Sequence, residues 1–208
     1  MTEVGALEQS DSGLHAIVLA AGASTRFGSA KQLVRVAGRP LLHTIVTRTS
    51  DVVGNAITVV LGARAAELAP LLKHCPGSVI INQDWREGLG SSIRIGVSRL
   101  PGACSAALLV LADQAAVTAE DLRRLTSAWR RQPDHIAAAQ YQSMTGVPAI
   151  FPRSYFSDLT QLRGDTGART LLRRNPDRLV RVPMVSAAFD LDTPEDLLAL
   201  EQQPKPLE

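Results

Sequence analysis

The segment Leu19-Ala-Ala-Gly-Ala-Ser-Thr-Arg-Phe-Gly-Ser-Ala-Lys31 directly follows an apolar run, Leu14 to Ala20. Its residue types suit an anion. Gly22 and Gly28 permit backbone angles that aim successive N–H groups inward, and the small residues between them allow close approach. Arg26 offers a planar fork and Lys31 a point charge, a pair able to hold a triphosphate. Two commoner phosphate loops fail here. GxxxxGK[ST] needs Lys directly after its second glycine, where Ser29 and Ala30 intervene, and GxGxxG lacks its close second glycine. A plain β-to-α connection carrying surface cations would have the same composition.

Carboxylates come next, because a metal that neutralises phosphate charge takes hard oxygen ligands. Asp113 ends the very apolar stretch Ala106 to Ala112, where its carboxylate would emerge at the edge of a sheet. The rival role, a helix cap, is already filled by Thr118. In Asp190-Leu-Asp192 the two acids are two residues apart and share a strand face, so either or both could join Asp113. Asp192 could instead only support the start of the last helix. Gly88-Leu-Gly-Ser-Ser92 is a second glycine-rich loop feeding a helix, a favourable place for polar ligand groups. The four histidines are scattered without ligand spacing, and no nucleophile triad is present.

Elements must hold these groups. Buried strands are predicted at 14–20, 56–61, 78–82 and 106–112, with further strands at 135–141, 147–151, 178–182 and 187–191. Helices are predicted at 40–50, 63–73, within 88–100, after the Thr118 cap with Asp121 at the capping-box position, and at 167–174. A last helix starts with Thr193 as N-cap, Pro194 at its first position and Asp196 three residues after the cap. Alternation of this kind makes one α/β three-layer sandwich around a mostly parallel central sheet, with ligands beyond the carboxyl ends of the strands. Residues 14–203 are read as a single domain, between a leader at 1–13 and a tail at 204–208.

At 208 residues, 45% hydrophobic and 20% charged, the chain has the composition of an ordinary globular domain. Twenty-two basic residues against 20 acidic give no bulk attraction for nucleic acid, so an anion must be recognised locally. Cys75 and Cys104 match no zinc or redox spacing. The 14–21 apolar run is too short to span a bilayer, and the leader lacks a basic start, so no membrane is implied and a cytoplasmic location is expected.

The spelling LAAG-x-S-x-R-x-G-x-x-K resembles the signature of the MobA-like NTP transferases, which share the glycosyltransferase-A-type fold. Further stretches, Asn82 to Arg94, Leu111-Ala-Asp-Gln114, Gly146-Val-Pro148, Gly164 to Arg169 and Asp190 to Asp196, resemble the molybdenum cofactor cytidylyltransferase branch. The similarity runs from about Leu14 to Leu200.

That resemblance implies a nucleotidyltransferase that moves a nucleoside monophosphate, CMP from CTP, onto a phosphorylated acceptor such as molybdopterin, releasing pyrophosphate with Mg²⁺ as cofactor. It makes Leu19, Ala20, Ala21, Gly22, Ser24, Arg26, Lys31, Asn82, Gly90 and Ser91 the expected nucleotide-binding residues, with Arg26, Lys31 and Asp113 catalytic. Asp113 and Asp192 become the metal ligands, Asp190 the alternative. Arg169 would bind the acceptor phosphate, or simply lie on a solvated helix face. CTP rests on analogy, since guanylyl-transferring relatives tend to read Ala-Gly-Gly where Ala20-Ala21-Gly22 stands. A recipient molybdoenzyme is an implied protein partner. Relatives usually have Pro where Ala115 stands, which would loosen the turn after Asp113. Two other readings stay open: an oxidoreductase of heteroaromatic catabolism using NAD(P)H, and a cofactor-carrying chaperone without turnover.

Overall fold

The apolar runs become the middle of one sheet. In a computed structural model, residues 13–23, 31–36, 38–191, 193 and 196 are described. Strand β1 (Leu14–Ala20) runs parallel to β4 (Ile57–Leu61) on one side and to β6 (Ala106–Leu111) on the other. Beyond β4 lies the parallel edge strand β5 (Ser78–Ile81). Beyond β6 come the antiparallel β8 (Met144–Pro152), then β7 (Ile136–Tyr141) and the edge strand β9 (Leu179–Pro183). The order is β5-β4-β1-β6-β8-β7-β9, mostly parallel as predicted. Two short strands, β2 (Arg35–Val36) and β3 (Arg39–Pro40), pair separately.

The period of two along a strand divides the core into two layers. Leu14, Ala16, Val18 and Ala20 face α1 (Leu41–Val53), α2 (Ala65–Leu68) and α4 (Ala119–Arg131). Ile17 and Leu19 face α3 (Leu89–Ser98), α5 (Phe156–Thr160) and α6 (Arg169–Arg174). Ile17, Leu42, Leu108 and Phe151 are fully buried. Truncating one of them to Ala would cost about 2–5 kcal/mol, the lost transfer energy plus a cavity. Helix α4 begins with the predicted capping box, in which Thr118 and Asp121 satisfy each other's backbone N–H. Thr193 and Asp196 exchange the same bonds; the rest of the last helix predicted from Pro194 lies outside the described residues.

Several boundaries differ from expectation. The helix predicted at 63–73 is α2 followed by a 3₁₀ stretch, Ala69–Leu72, because Pro70 cannot donate to an α-helical ladder. The strand predicted at 187–191 is a 3₁₀ turn at Val185–Ala188 followed by non-strand residues to Leu191. Ala187 and Leu191 are buried there by packing rather than by pairing, while Ala188 is exposed. Helix α6 starts two residues later than predicted, with no side-chain cap from Asp165 or Thr166. Strand β8 is longer than predicted, and its pairing with β7 shifts register between Ala138 and Ala139. Both cysteines are free. No helix among the described residues is long and apolar enough to cross a membrane.

Candidate active site

At the carboxyl ends of β1, β4 and β6 an open cleft of about 630 Å³ is lined by Leu19 to Ala23, Lys31, Asp113 and residues from the 85–92 turn. Two of its charged members meet. Lys31 opens a short 3₁₀ turn at Lys31–Leu33, Asp113 follows β6, and Lys31 Nζ donates to Asp113 Oδ2 at 2.7 Å. The side chains are 13% and 25% exposed, so the pair is only partly desolvated. Residues 82 positions apart in the chain thus share one wall.

Asp113 is held mainly through its backbone and its neighbours. Its carbonyl accepts from Ala115 N at 2.8 Å and from Leu191 N at 2.9 Å. The buried Gln114 reaches out with Nε2 to the carbonyls of Val147 and Ala187. The shifted register of β8 leaves the Val147 carbonyl available for that contact. Arg48 donates to the Ala115 and Val117 carbonyls, both at 2.8 Å. Burial pushes the Arg48 guanidinium below its usual range, against the opposing pull of Asp121. At Ala115 the backbone N–H makes a bond that proline would lack, and Arg48 ties the carbonyls of Ala115 and Val117.

Asp113 Oδ1 is buried and has no hydrogen-bond partner among the described residues. A bare carboxylate oxygen in a cleft is costly unless something polar meets it. One oxygen committed to Lys31 and one unmatched fit a hard cation ligated by carboxylate. Asp190 is exposed and joined to Asp113 through the Leu191 N–H, while Asp192 lies outside the described residues. No cluster of three or more His, Cys, Asp or Glu with metal-binding geometry occurs among the described residues.

The first loop is seen in part. Leu19, Ala20, Ala21 and Gly22 line the cleft, whereas Ser24, Arg26 and Gly28 lie outside the described residues. Gly22 needs no special backbone angle, and a Cβ there would meet nothing within 4 Å. The conformational argument for Gly22 is thus corrected: its small size leaves open space. Gly62 at the end of β4 carries the tighter constraint. A Cβ on it would come within 2.6 Å of the Ala21 carbonyl and 2.7 Å of Trp85 Cβ.

The second glycine loop separates into floor and wall. Asn82 and Ser91 are each 2% exposed, and Asn82 Nδ2 donates to the hydroxyls of Ser91 and Ser92. Ser91 in turn donates toward the Asp84 and Gly88 carbonyls. Ser92 and Gly88 line the cleft; Asn82, Gly90 and Ser91 lie beneath it. Gly88 has φ +109°, which only glycine adopts comfortably, and its Cα faces Gly164 and the Asp165 carboxylate. Arg94 pairs with Glu87 at 2.6 Å and donates to the Leu162 carbonyl. The hydrogen bonds from Arg94 hold the Glu87 carboxyl below its ordinary range. Arg94 therefore braces the loop. Arg169 lines a separate groove of about 280 Å³ with Thr145, Arg173 and Arg181, and reaches Tyr141 Oη at 3.4 Å.

Gln32, Trp85, Arg86, Leu89 and Asp165 also line the cleft, though sequence reasoning did not select them. Trp85 and Arg86 sat inside a recognised motif, and a large aromatic in a polar loop was the available signal.

Residues 16–179 match the family model of the MobA-like NTP transferase domain. The chain belongs to that family. Among relatives of this MobA-like protein is nicotine blue oxidoreductase of Paenarthrobacter nicotinovorans, 29% identical over 197 residues, spanning 88% of this chain and 94% of that one. The bifunctional protein GlmU of Anaeromyxobacter dehalogenans is 33% identical over 157 residues, 73% of this chain but 31% of its own. This chain therefore spans about a third of GlmU. Among solved structures, Rv0371c of Mycobacterium tuberculosis H37Rv superimposes with a TM-score of 0.77 at 24% identity, covering 91% of this chain and 97% of that one. The same protein is known in complex with manganese, with a TM-score of 0.70 at 23% identity over 91% and 98% of the chains.

Proposed function

We propose that this protein is a Mg²⁺-dependent nucleotidyltransferase that passes CMP from CTP to a phosphorylated acceptor of the molybdopterin kind. The observation that carries the reading is the 2.7 Å pair of Lys31 and Asp113 in a cleft walled by the backbone of Leu19 to Gly22. A terminal phosphate oxygen of the acceptor attacks the α-phosphorus of the NTP, forming one P–O bond as the bond to pyrophosphate breaks. Lys31 and Arg26 hold phosphate oxygens, and small residues at 20–22 let the nucleotide approach the main chain. Asp113, with Asp192 or Asp190, would hold the metal, which supplies neutralisation of phosphate charge. The orphaned Asp113 Oδ1 supports that assignment, as does the manganese complex of Rv0371c. Asn82, Gly90 and Ser91 then act from beneath, fixing the loop that presents Ser92 and Gly88. Arg169 is the candidate contact for the acceptor phosphate, from its neighbouring groove. Residues 14–203 act as one transferase domain, and a molybdoenzyme is the partner that would receive the product.

A second reading has one specific support, the similarity to nicotine blue oxidoreductase along nearly its whole length. It requires NAD(P)H, and the chain carries no GxGxxG loop. One panel separates the readings. Melting temperatures with CTP, GTP, ATP, UTP and NAD(P)H, each with Mg²⁺, rise for whatever the folded state binds. Pyrophosphate release with a phosphorylated pterin supports transfer. NAD(P)H consumption on a heteroaromatic quinone, without nucleotide-dependent stabilisation, overturns it. Tight CTP binding without turnover in the presence of acceptor points to a carrier.

A further inference from the structure

The strand at the far edge of the sheet has a neighbour on one side only. Among the described residues β9 pairs with β7 alone, and β8 and β7 separate it from β6 and the cleft. Met184 N donates to the Gln140 carbonyl on β7. Alternation along the strand then turns the main-chain groups of Val180 and Val182 toward β7, and those of Arg181 outward together with the Pro183 carbonyl. Such an edge accepts the backbone of another extended chain.

Arginines stand on both sides of that edge. On one side a groove of about 380 Å³ separates β9 from α4. Arg124, Ser127, Ala128 and Arg131 line it as the i, i+3, i+4, i+7 stripe of one helix face, with Glu120 and Arg123 beside them. On the other side lies the smaller groove of Arg169, Arg173 and Arg181, which Leu179 and the exposed Met144 also line. The whole chain has 22 basic residues against 20 acidic, so this concentration is local. Glu120 and Asp121 answer Arg123 and Arg124, at 3.5 and 2.6 Å. Arg131, Arg173 and Arg181 have no hydrogen-bond or ion-pair partner among the described residues. The two faces also match in length. From Glu120 to Arg131 the helix rises about 16 Å, and the 5 residues of β9 extend about as far.

We propose that the β9 edge docks an acidic, extended segment of another protein, which adds to the sheet as a further strand. Carboxylates on one face of that segment meet Arg124 and Arg131, and apolar side chains on its other face meet Met144 and Leu179. A second copy of this chain fits poorly, since two-fold pairing at β9 sets arginine against arginine. A nucleic acid would satisfy the guanidiniums, but it has no backbone to pair with the Arg181 N–H and C=O together. The inference rests on the edge and its charge, whatever the cleft transfers.

The test follows the fluorescence anisotropy of a dye-labelled peptide of about ten residues, alternating Glu and Val, added to the full chain. Wild type should bind the peptide, and salt should weaken the complex. Arg131→Glu should lower affinity about tenfold, and Arg131→Lys should keep most of it. Arg130→Glu makes the same charge change on α4 outside the groove and should stay near wild type. All three variants should melt near the wild-type temperature. Methylating one set of alternate peptide nitrogens should abolish binding and methylating the other set should not, because a single peptide edge meets β9. An equal loss in Arg130→Glu overturns the inference, as does full affinity in both methylated peptides. Tighter binding of an oligothymidylate of equal charge would make the edge a nucleic-acid surface instead. A dimer of the free protein that Arg181→Glu dissociates would assign it to a second copy, and either result sinks the proposal.

Discussion

The main-chain N–H of Leu191 donates to the carbonyl of Asp113 at 2.9 Å, so the segment that carries two acids is tied to the residue that holds Lys31. The link makes the carboxylate assignment testable at three positions. Asp113→Ala and Lys31→Ala should each lower the rate of pyrophosphate release by about two to three orders of magnitude, the scale of losing one preorganised electrostatic group. Asp192→Asn should fall nearly as far, while Asp190→Asn, on an exposed residue, should stay within about threefold of wild type if Asp192 is the partner. Inverted effects at 190 and 192 would reassign the second ligand. Near-normal turnover by Asp113→Ala would remove the metal clamp altogether.

Gly88 joins two walls of the cleft. It takes φ +109°, and a Cβ there would run into Gly164 and the Asp165 carboxylate. Gly90 N donates to the Gly164 carbonyl at 2.9 Å, so the 88–90 and 164–165 loops cannot move apart freely. Gly88→Ala should therefore cost about 2–4 kcal/mol, from backbone strain plus overpacking. Calorimetric melting measures the loss, and an unchanged melting temperature would mean the loops adjust without strain.

How much of this could be read from the residues alone depended on which interactions were local. Strands β1, β4 and β6 were legible because each is a short, continuous apolar run buried on both faces. The Thr118–Asp121 box was legible because its partners are three residues apart. The juxtaposition of Lys31 and Asp113 followed from placing both at carboxyl ends of parallel strands. Ala187 to Leu191 was misread because apolar residues packing onto a core look like a strand whether or not they pair. Trp85, Gln32 and Asp165 went unselected because lining a cleft is a property of three loops brought together. Gly62 shows the same limit, since its constraint comes from Ala21 and Trp85, 41 and 23 positions away by residue number.

Arg48 is a further case of distant support. Its guanidinium spans from α1 to two carbonyls of the turn after Asp113. Arg48→Ala should destabilise the protein by about 2–3 kcal/mol, because charge-assisted hydrogen bonds are lost from a partly buried place. It should also reduce kcat more than it raises the KM for CTP, since the turn aims the Asp113 carboxylate. Arg48→Lys should recover part of the stability through one bond. A change in KM alone would show that the turn keeps its geometry without Arg48.

Acidification should reveal two separate windows. Burial lowers the His15 imidazole below its usual 6.5, and the ring bonds to the Thr58 hydroxyl at 2.9 Å. The unfolded chain then takes up that proton first, so His15 favours folding fully above pH 6.5 and progressively less below it. Asp121 behaves differently. Burial opposes its charge, but bonds from the Thr118 N–H, Ser186, Arg124 and the Thr118 hydroxyl outweigh it and bring the carboxyl below 3.8. Its contribution is complete above 3.8 and is lost as pH falls through the lower folded value. Melting curves from pH 7.5 downward should therefore flatten near neutrality for His15→Gln and only in strong acid for Asp121→Asn. At neutral pH Asp121→Asn should already cost about 1–2 kcal/mol as a weakened cap, roughly 3–6 °C in a chain of this size. If the two variants instead lost slope in the same window, the assignment of these groups to the acid response would be wrong.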